Sequence, residues 1–215
     1  MTVAAPEARG DPRGSGGRRS RTALPRGLKF LYSLFLVVLV PVYWRHYGPS
    51  NFLWACDLAL FLILASLWLE RPLPNSMAAI GMLPFQLAWC VDFLAGSRLI
   101  GMAAYMFEPD RPLFLKGLSL FHVGAPALVV YLLCRLGYDQ RAFWAQTLLA
   151  WVVLVATFLL TDPADNINLA FGLGPSPQQR IDPRAFLLLW MMALPLLVFW
   201  PMHCLIRRLV RPATG

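Results

Sequence analysis

Six long apolar blocks constrain what this chain can fold into more than any other feature. Each is close to the roughly 20 residues that an α-helix needs to cross a hydrocarbon layer about 30 Å thick. Hydrophobic residues make up 58% of the 215 residues, against about 45–50% in a soluble domain. The sequence therefore predicts an all-α membrane protein, a bundle of six transmembrane helices over about 27–46, 52–69, 77–95, 117–136, 142–161 and 186–206.

Two regions follow from composition: a tail over 1–26 and a transmembrane domain over 27–210. The tail is rich in Gly, Arg, Pro and Ser, so it cannot bury enough apolar surface to fold and is predicted to be disordered. Seven basic residues precede Phe30: Arg9, Arg13, Arg18, Arg19, Arg21, Arg26 and Lys29. Beside an apolar helix, such a cluster indicates anionic lipid headgroups rather than nucleic acid as the partner.

The distribution of Lys and Arg predicts the orientation of the bundle. Cytoplasmic segments of membrane proteins carry an excess of these residues. With both termini in the cytoplasm, thirteen Lys and Arg lie on that side and six on the other. The two basic ends share one side only if the number of spans is even, so six spans and the charge pattern agree.

Shorter features add local expectations. The segment Leu99–Phe107 is apolar but too short to span, so it is predicted to be interfacial or re-entrant. Small residues such as Gly81 and Gly124 are expected to let helices approach closely. Five prolines lie in or near the blocks and predict local kinks: Pro41, Pro84, Pro126, Pro195 and Pro201.

Ionisable and amide side chains inside the spans are the main indication of function. Such groups cost several kcal/mol in hydrocarbon unless they are paired or hydrated. The predicted topology places most of them in the outer half of the bilayer: His46, Asn51, Asp57, Asp92, His122, Asp165, Asn166 and Asn168. This convergence predicts a polar pocket that opens away from the cytoplasm.

Several chemistries fit this pocket. His122 would act as a general base or nucleophile, with Asp57 or Asp92 orienting its ring. A ligand would be bound by the remaining polar residues: His46, Asn51, Asp165, Asn166 and Asn168. Two His and two Asp would also suit a divalent metal, but no HxxxH or HExxH spacing is present, so no metal or other cofactor is assigned.

A structural role is the alternative for each of these residues. Asp57 would then be a polar contact between helices, and Asp92 would lie at the membrane interface. The TDPADNIN segment, residues 161–168, would be a helix-terminal turn rich in Asp and Asn. His203, near the end of the last helix, is interpreted as a headgroup-level residue.

The stretch YGPSNFLWACDL, Tyr47 to Leu58, resembles the opening of the second helix in the androgen-induced protein family. Members of that family are six-helix membrane hydrolases that cleave fatty acid esters of hydroxy fatty acids. By this resemblance Asp57 matches an acidic residue, and His122, with Pro126 four residues later, matches the catalytic histidine. Trp54 occupies the position of the catalytic threonine, so His122 would act with Asp57 or on water directly.

The sequence is also similar to small uncharacterised bacterial multipass proteins, which implies a location in the bacterial inner membrane. Three hypotheses for function remain open. The first is a lipid-directed hydrolase with an outer-leaflet pocket. The others are a non-enzymatic protein that binds or conducts a small ligand, and a structural subunit of a membrane complex.

Overall fold

The computed structural model describes residues 23–174 and 176–213, and these residues form a helical bundle. Within them no β-strand occurs, and eight α-helices follow one another: α1 Arg26–Tyr47, α2 Ala55–Leu69, α3 Pro72–Leu94, α4 Leu113–Ser119, α5 Phe121–Leu136, α6 Ala142–Leu160, α7 Pro183–Ala193 and α8 Trp200–Leu209. A π-helical turn, Leu194–Phe199, joins α7 to α8.

Five segments of the described chain are long and apolar enough to cross a membrane: α1, α3, α4 with α5, α6, and α7 with α8. The helix α2 is equally apolar but has only 15 residues, about 22 Å of length. It begins at Ala55 rather than near 52 because Pro49–Leu53 forms a 3-10 turn. The predicted all-α membrane bundle is confirmed, with one helix shorter than expected.

Helix α3 lies at the centre of the bundle, where it packs against α2, α5 and α6. It starts at Pro72, five residues before the predicted boundary, because proline suits the first turn of a helix. Its polar side chains bond to its neighbours. The amide of Asn75 donates to the Val129 carbonyl in α5 at 3.1 Å, and the Ser76 hydroxyl accepts from the backbone N–H of Asp139 at 3.0 Å.

The outward sides of the surrounding helices are apolar. Leu34 in α1, Leu148 in α6 and Leu189 in α7 are each at least 60% exposed. A soluble protein rarely exposes so much contiguous apolar surface. These sides are therefore the ones that hydrocarbon would cover.

The bundle has two ends, which we call the terminal face and the loop face. The terminal face contains the start of α1, the α2–α3 turn, the α5–α6 turn and residues 210–213. There the Lys29 ammonium pairs with the Glu70 carboxylate at 2.6 Å. The loop face contains the connectors 48–54, 95–112 and 161–182. Both ends of the described chain lie at the terminal face, as an even number of passes requires.

Residues after α8 fold back onto the α5–α6 turn. The Tyr138 N–H donates to the Arg211 carbonyl at 3.1 Å, and the Ala213 N–H donates to the Tyr138 carbonyl at 3.0 Å. Gly137 has φ +82°, and a Cβ there would lie 3.0 Å from Ala213 Cα. The Tyr138 hydroxyl also bonds to Nδ1 of His203 in α8 at 2.7 Å. We call this arrangement the C-terminal clamp.

Other local expectations have mixed outcomes. The segment Leu99–Phe107 lies in the α3–α4 connector and ends in a short 3-10 turn, Ala104–Phe107. Helices α1, α3 and α5 each continue through an internal proline. Only Pro195 coincides with altered helical geometry, since it lies in the π-helical turn. Most of the predicted disordered tail, residues 1–22, lies outside the described residues.

Candidate functional site at the loop face

Asp57 is a buried carboxylate with one oxygen bonded and one free. It lies in the first turn of α2 and is 3% exposed. Asn51, in the 3-10 turn before α2, donates its amide to Oδ2 of Asp57 at 2.9 Å. The other oxygen, Oδ1, has no hydrogen-bond partner among the described residues. Buried polar atoms are nearly always bonded, so this oxygen indicates a place for a further donor.

Three further hydroxyl groups come from the helices and the connector at this end of the bundle. The Tyr43 hydroxyl in α1 bonds to the Ser119 hydroxyl at the end of α4 at 2.9 Å. The Tyr105 ring, from the α3–α4 connector, packs beside the Trp89 indole with ring centroids 6.3 Å apart. Burial raises the pKa of Tyr105 above its ordinary value, so its phenol keeps its proton and can donate.

His122 is held by its backbone surroundings and by ring stacking. Its Nδ1 lies 2.9 Å from the Ser119 carbonyl, and because a carbonyl only accepts, Nδ1 carries the proton in the neutral ring. The imidazole stacks on Trp89 with ring centroids 4.6 Å apart. Its Nε2 forms no hydrogen bond within the part of the chain that the structure describes, so it presents a free lone pair.

Asp92 lies in α3 and anchors the α3–α4 connector. Oδ1 accepts from the N–H groups of Leu99, Ile100 and Gly101 at 3.1, 2.8 and 3.3 Å. Oδ2 accepts from the Ser97 hydroxyl at 2.9 Å and from the Ala103 N–H at 3.0 Å. Both oxygens are therefore occupied in shaping the connector that carries Tyr105. A part for Asp92 in catalysis stays a prediction.

The asparagines of the α6–α7 connector bond to backbone. Asn168 donates to the Leu53 carbonyl at 2.7 Å and accepts from the Ala55 N–H at 2.9 Å. It thereby joins this connector to the turn that carries Asn51. Asn166 has φ +41°, and it donates to the carbonyls of two residues in its own loop, Gly172 and Gly174. These contacts hold the loop face together.

The other two predicted ligand-binding residues lie on the surface. His46 is exposed, and its Nδ1 bonds to the Val42 carbonyl one turn earlier at 2.9 Å. Asp165 is exposed in a short 3-10 turn, Pro163–Asp165. A contribution of either to binding stays a prediction.

The structure thus brings Asp57 and Asn51 into direct contact and places His122 beside Ser119. Neither Asp57 nor Asp92 bonds to the His122 ring within the described chain. Sequence reasoning missed Tyr43, Tyr105, Ser119 and Trp89. Tyrosine, serine and tryptophan are ordinary near a membrane interface, so their type alone carries no signal. The one signal in the sequence that could have identified any of them is the spacing of Ser119, which lies about one helical turn before His122.

The described residues contain no group of three or more His, Cys, Asp or Glu side chains that could hold a metal ion. No family model, curated protein or solved structure matches this chain. The resemblance to the androgen-induced protein family therefore stays a prediction, and the geometry carries the functional reasoning.

Proposed function

We propose that this is a multipass protein of a bacterial inner membrane that binds the polar part of a lipid or small molecule at the loop face. The binding residues are the loop-face cluster, which we define as Tyr43, Asn51, Asp57, Tyr105, Ser119 and His122. The observation that carries the proposal is the buried Oδ1 of Asp57, which receives no hydrogen bond from any described residue. A ligand hydroxyl or amine would supply that donor.

The contacts of His122 favour binding over hydrolysis. A histidine that acts as a general base is usually oriented by a carboxylate and bonded to its nucleophile. Here a backbone carbonyl orients the ring, and Trp54 stands where the family resemblance places a threonine nucleophile. Trp89 and Phe121 also pack against the ring and fix its position.

One observation supports hydrolysis as the second candidate. With Nδ1 anchored, the free Nε2 of His122 is oriented as a base that activates water would be. A lipid ester whose headgroup bonds to Asp57 would then be the substrate. This version retains His122 and Asp57 as catalytic residues and needs no side-chain nucleophile.

Asp57→Asn tests the binding proposal, with Asp110→Asn as the matched control because Asp110 is an exposed carboxylate of the same face. Lipids that co-purify with the full chain are extracted and quantified by mass spectrometry. We expect a lipid with a hydroxyl or amine headgroup to be enriched in the wild-type protein. Its retention should fall about tenfold or more in Asp57→Asn, since a buried hydrogen bond to a charged group is lost, and should persist in Asp110→Asn.

Turnover of an ester lipid by the same preparations separates the two candidates. Hydrolysis would be established if the wild-type protein releases fatty acid and His122→Ala abolishes that release. Equal lipid retention in Asp57→Asn and wild type, without turnover, would reject both candidates and leave a structural subunit.

A further inference from the structure

The terminal face contains two adjoining cavities at the end of the bundle opposite the loop-face cluster. The larger, of about 500 Å³, lies between the α2–α3 turn and the α5–α6 turn, where Arg71 and Asp139 line it. The smaller, of about 290 Å³, is lined mainly by aromatic rings, among them Trp144 and Trp200. Gln140 and Arg141 line both cavities, so they lie where the charged side chains of the larger cavity meet the aromatic rings of the smaller one.

The charge at this face is strongly positive. Among the described residues it carries eight basic side chains, Arg26, Lys29, Arg71, Arg135, Arg141, Arg207, Arg208 and Arg211. Only two acids accompany them, and both are in ion pairs: Glu70 with Lys29 at 2.6 Å, and Asp139 with Arg141 at 2.7 Å. The loop face is nearly balanced by comparison, with six basic residues against seven acids in its connectors and helix ends.

Arg141 is paired with Asp139 and still has donors to spare. Its Nε and Nη2 donate to the Asp139 carboxylate at 3.1 and 2.7 Å, and its backbone N–H donates to Oδ1 of the same residue at 3.0 Å. Hydrogen bonds from Arg141 keep the pKa of Asp139 below its ordinary value. A guanidinium has five N–H groups, so three remain for another acceptor.

Arg71 adds an unneutralised cation to the larger cavity. Its side chain is exposed and bonds to no other described residue, while its carbonyl accepts from the Ser66 hydroxyl. That backbone bond fixes the α2–α3 turn and leaves the guanidinium free. Phosphate oxygens are favoured acceptors for arginine because the planar fork matches their geometry.

The smaller cavity lies beside this basic rim and is lined by two exposed tryptophans. Trp144 is 74% exposed and Trp200 is 51% exposed. Trp200 precedes the end of α8 at Leu209 by nine residues, about 14 Å along the helix. Tryptophan is typical of the depth where headgroups meet acyl chains. A cationic compartment at the rim and an aromatic wall below it match the two parts of a phospholipid.

We propose that the paired cavities of the terminal face form a binding site for one anionic phospholipid. Its phosphate would bind between Arg71 and Arg141, and the upper part of an acyl chain would lie against Trp144 and Trp200. This site is separate from the loop-face cluster and does not depend on what that cluster binds.

To test this, the purified full chain in uncharged detergent is titrated with phosphatidylglycerol, phosphatidylcholine or inorganic phosphate. The number of bound ligands is counted by native mass spectrometry. Arg71→Gln is compared with Arg180→Gln, since both arginines are exposed and lie on opposite faces. We expect saturable binding of one phosphatidylglycerol, weakened about fivefold by Arg71→Gln, the effect of one cation near an anionic lipid. Arg180→Gln should bind like the wild type.

Three results would overturn the proposal. Equal binding of phosphatidylcholine would remove the role of the anionic headgroup. Inorganic phosphate that binds as tightly as phosphatidylglycerol would identify a site for free phosphate instead of a lipid. Equal weakening by Arg71→Gln and Arg180→Gln would reduce the effect to the net charge of the protein.

Discussion

At the scale of single residues, the two buried carboxylates show how much a sequence leaves open. Asp57 and Asp92 look alike as acids within apolar blocks, and both were predicted to serve one pocket. In the structure Asp92 accepts five hydrogen bonds from its own connector, whereas Asp57 accepts one and has a free oxygen. Four of the five donors to Asp92 are backbone N–H groups of an irregular loop and the fifth is the Ser97 hydroxyl, an arrangement that no hydrophobic period predicts.

Asp92→Asn tests this anchoring role. The amide would turn two donors of its own toward N–H groups that need an acceptor, so the connector should loosen. We expect hydrogen exchange at Leu99, Ile100 and Gly101 to accelerate about tenfold or more, together with a lower unfolding temperature in detergent. Asp110→Asn, exposed in the same connector, should change neither. Unchanged exchange in Asp92→Asn would show that the loop holds its shape without the carboxylate.

At the scale of helices, the apolar blocks predicted the bounds of all six segments to within five residues. Helix α2 alone, with 15 residues, is too short to count as a full span, because the PSNFL turn before it takes up residues that composition alone assigned to the span. Close helix contact was predicted at two glycines and is seen at one. A Cβ on Gly81 would strike the Gln146 side chain of α6, whereas a Cβ on Gly124 would meet nothing within 4 Å. Which face of a helix meets a neighbour depends on packing that the sequence pattern does not specify.

Gly81→Ala should therefore destabilise the α3–α6 contact. Overpacking costs about 1–3 kcal/mol, and the gain in helix propensity returns about 0.5–1 kcal/mol of it, so we expect a net loss of about 1 kcal/mol in the free energy of unfolding. In a Gln146→Ala background the clashing side chain is absent, and the same substitution should be neutral or stabilising. Gly124→Ala serves as the control. An identical effect of Gly81→Ala in both backgrounds would contradict the contact.

At the scale of the whole molecule, the bundle has two chemically different ends. Charge counting predicted that both termini share a side, and the described ends of the chain do lie together at the terminal face. The cavities of that face were not predicted, because they form between turns that are distant in sequence and contain no recognisable motif. His203 was interpreted as a headgroup-level residue, yet it is buried and bonded to Tyr138. That contact depends on the packing of α8 against the α5–α6 turn, which local composition does not predict.

The orientation of the bundle is open to a direct measurement. A reporter that is active only outside the cytoplasm is fused after Gly215 or inserted between Gln179 and Arg180 of the α6–α7 connector. Because basic residues are retained in the cytoplasm, we expect no signal from the first fusion and a strong signal from the second. The reverse pattern would show the opposite orientation, and signal from both would refute the pass assigned to α7 with α8.

The C-terminal clamp also bears on biosynthesis. The α5–α6 turn receives its backbone partners from residues 211–213, which are translated more than 70 residues after Tyr138. While the ribosome is still producing α6 and α7, the backbone groups of that turn lack these partners. The terminal face is therefore completed last, and only when α8 has taken its place. A nascent chain stalled before that point would expose the same turn to proteases and chaperones of the cell.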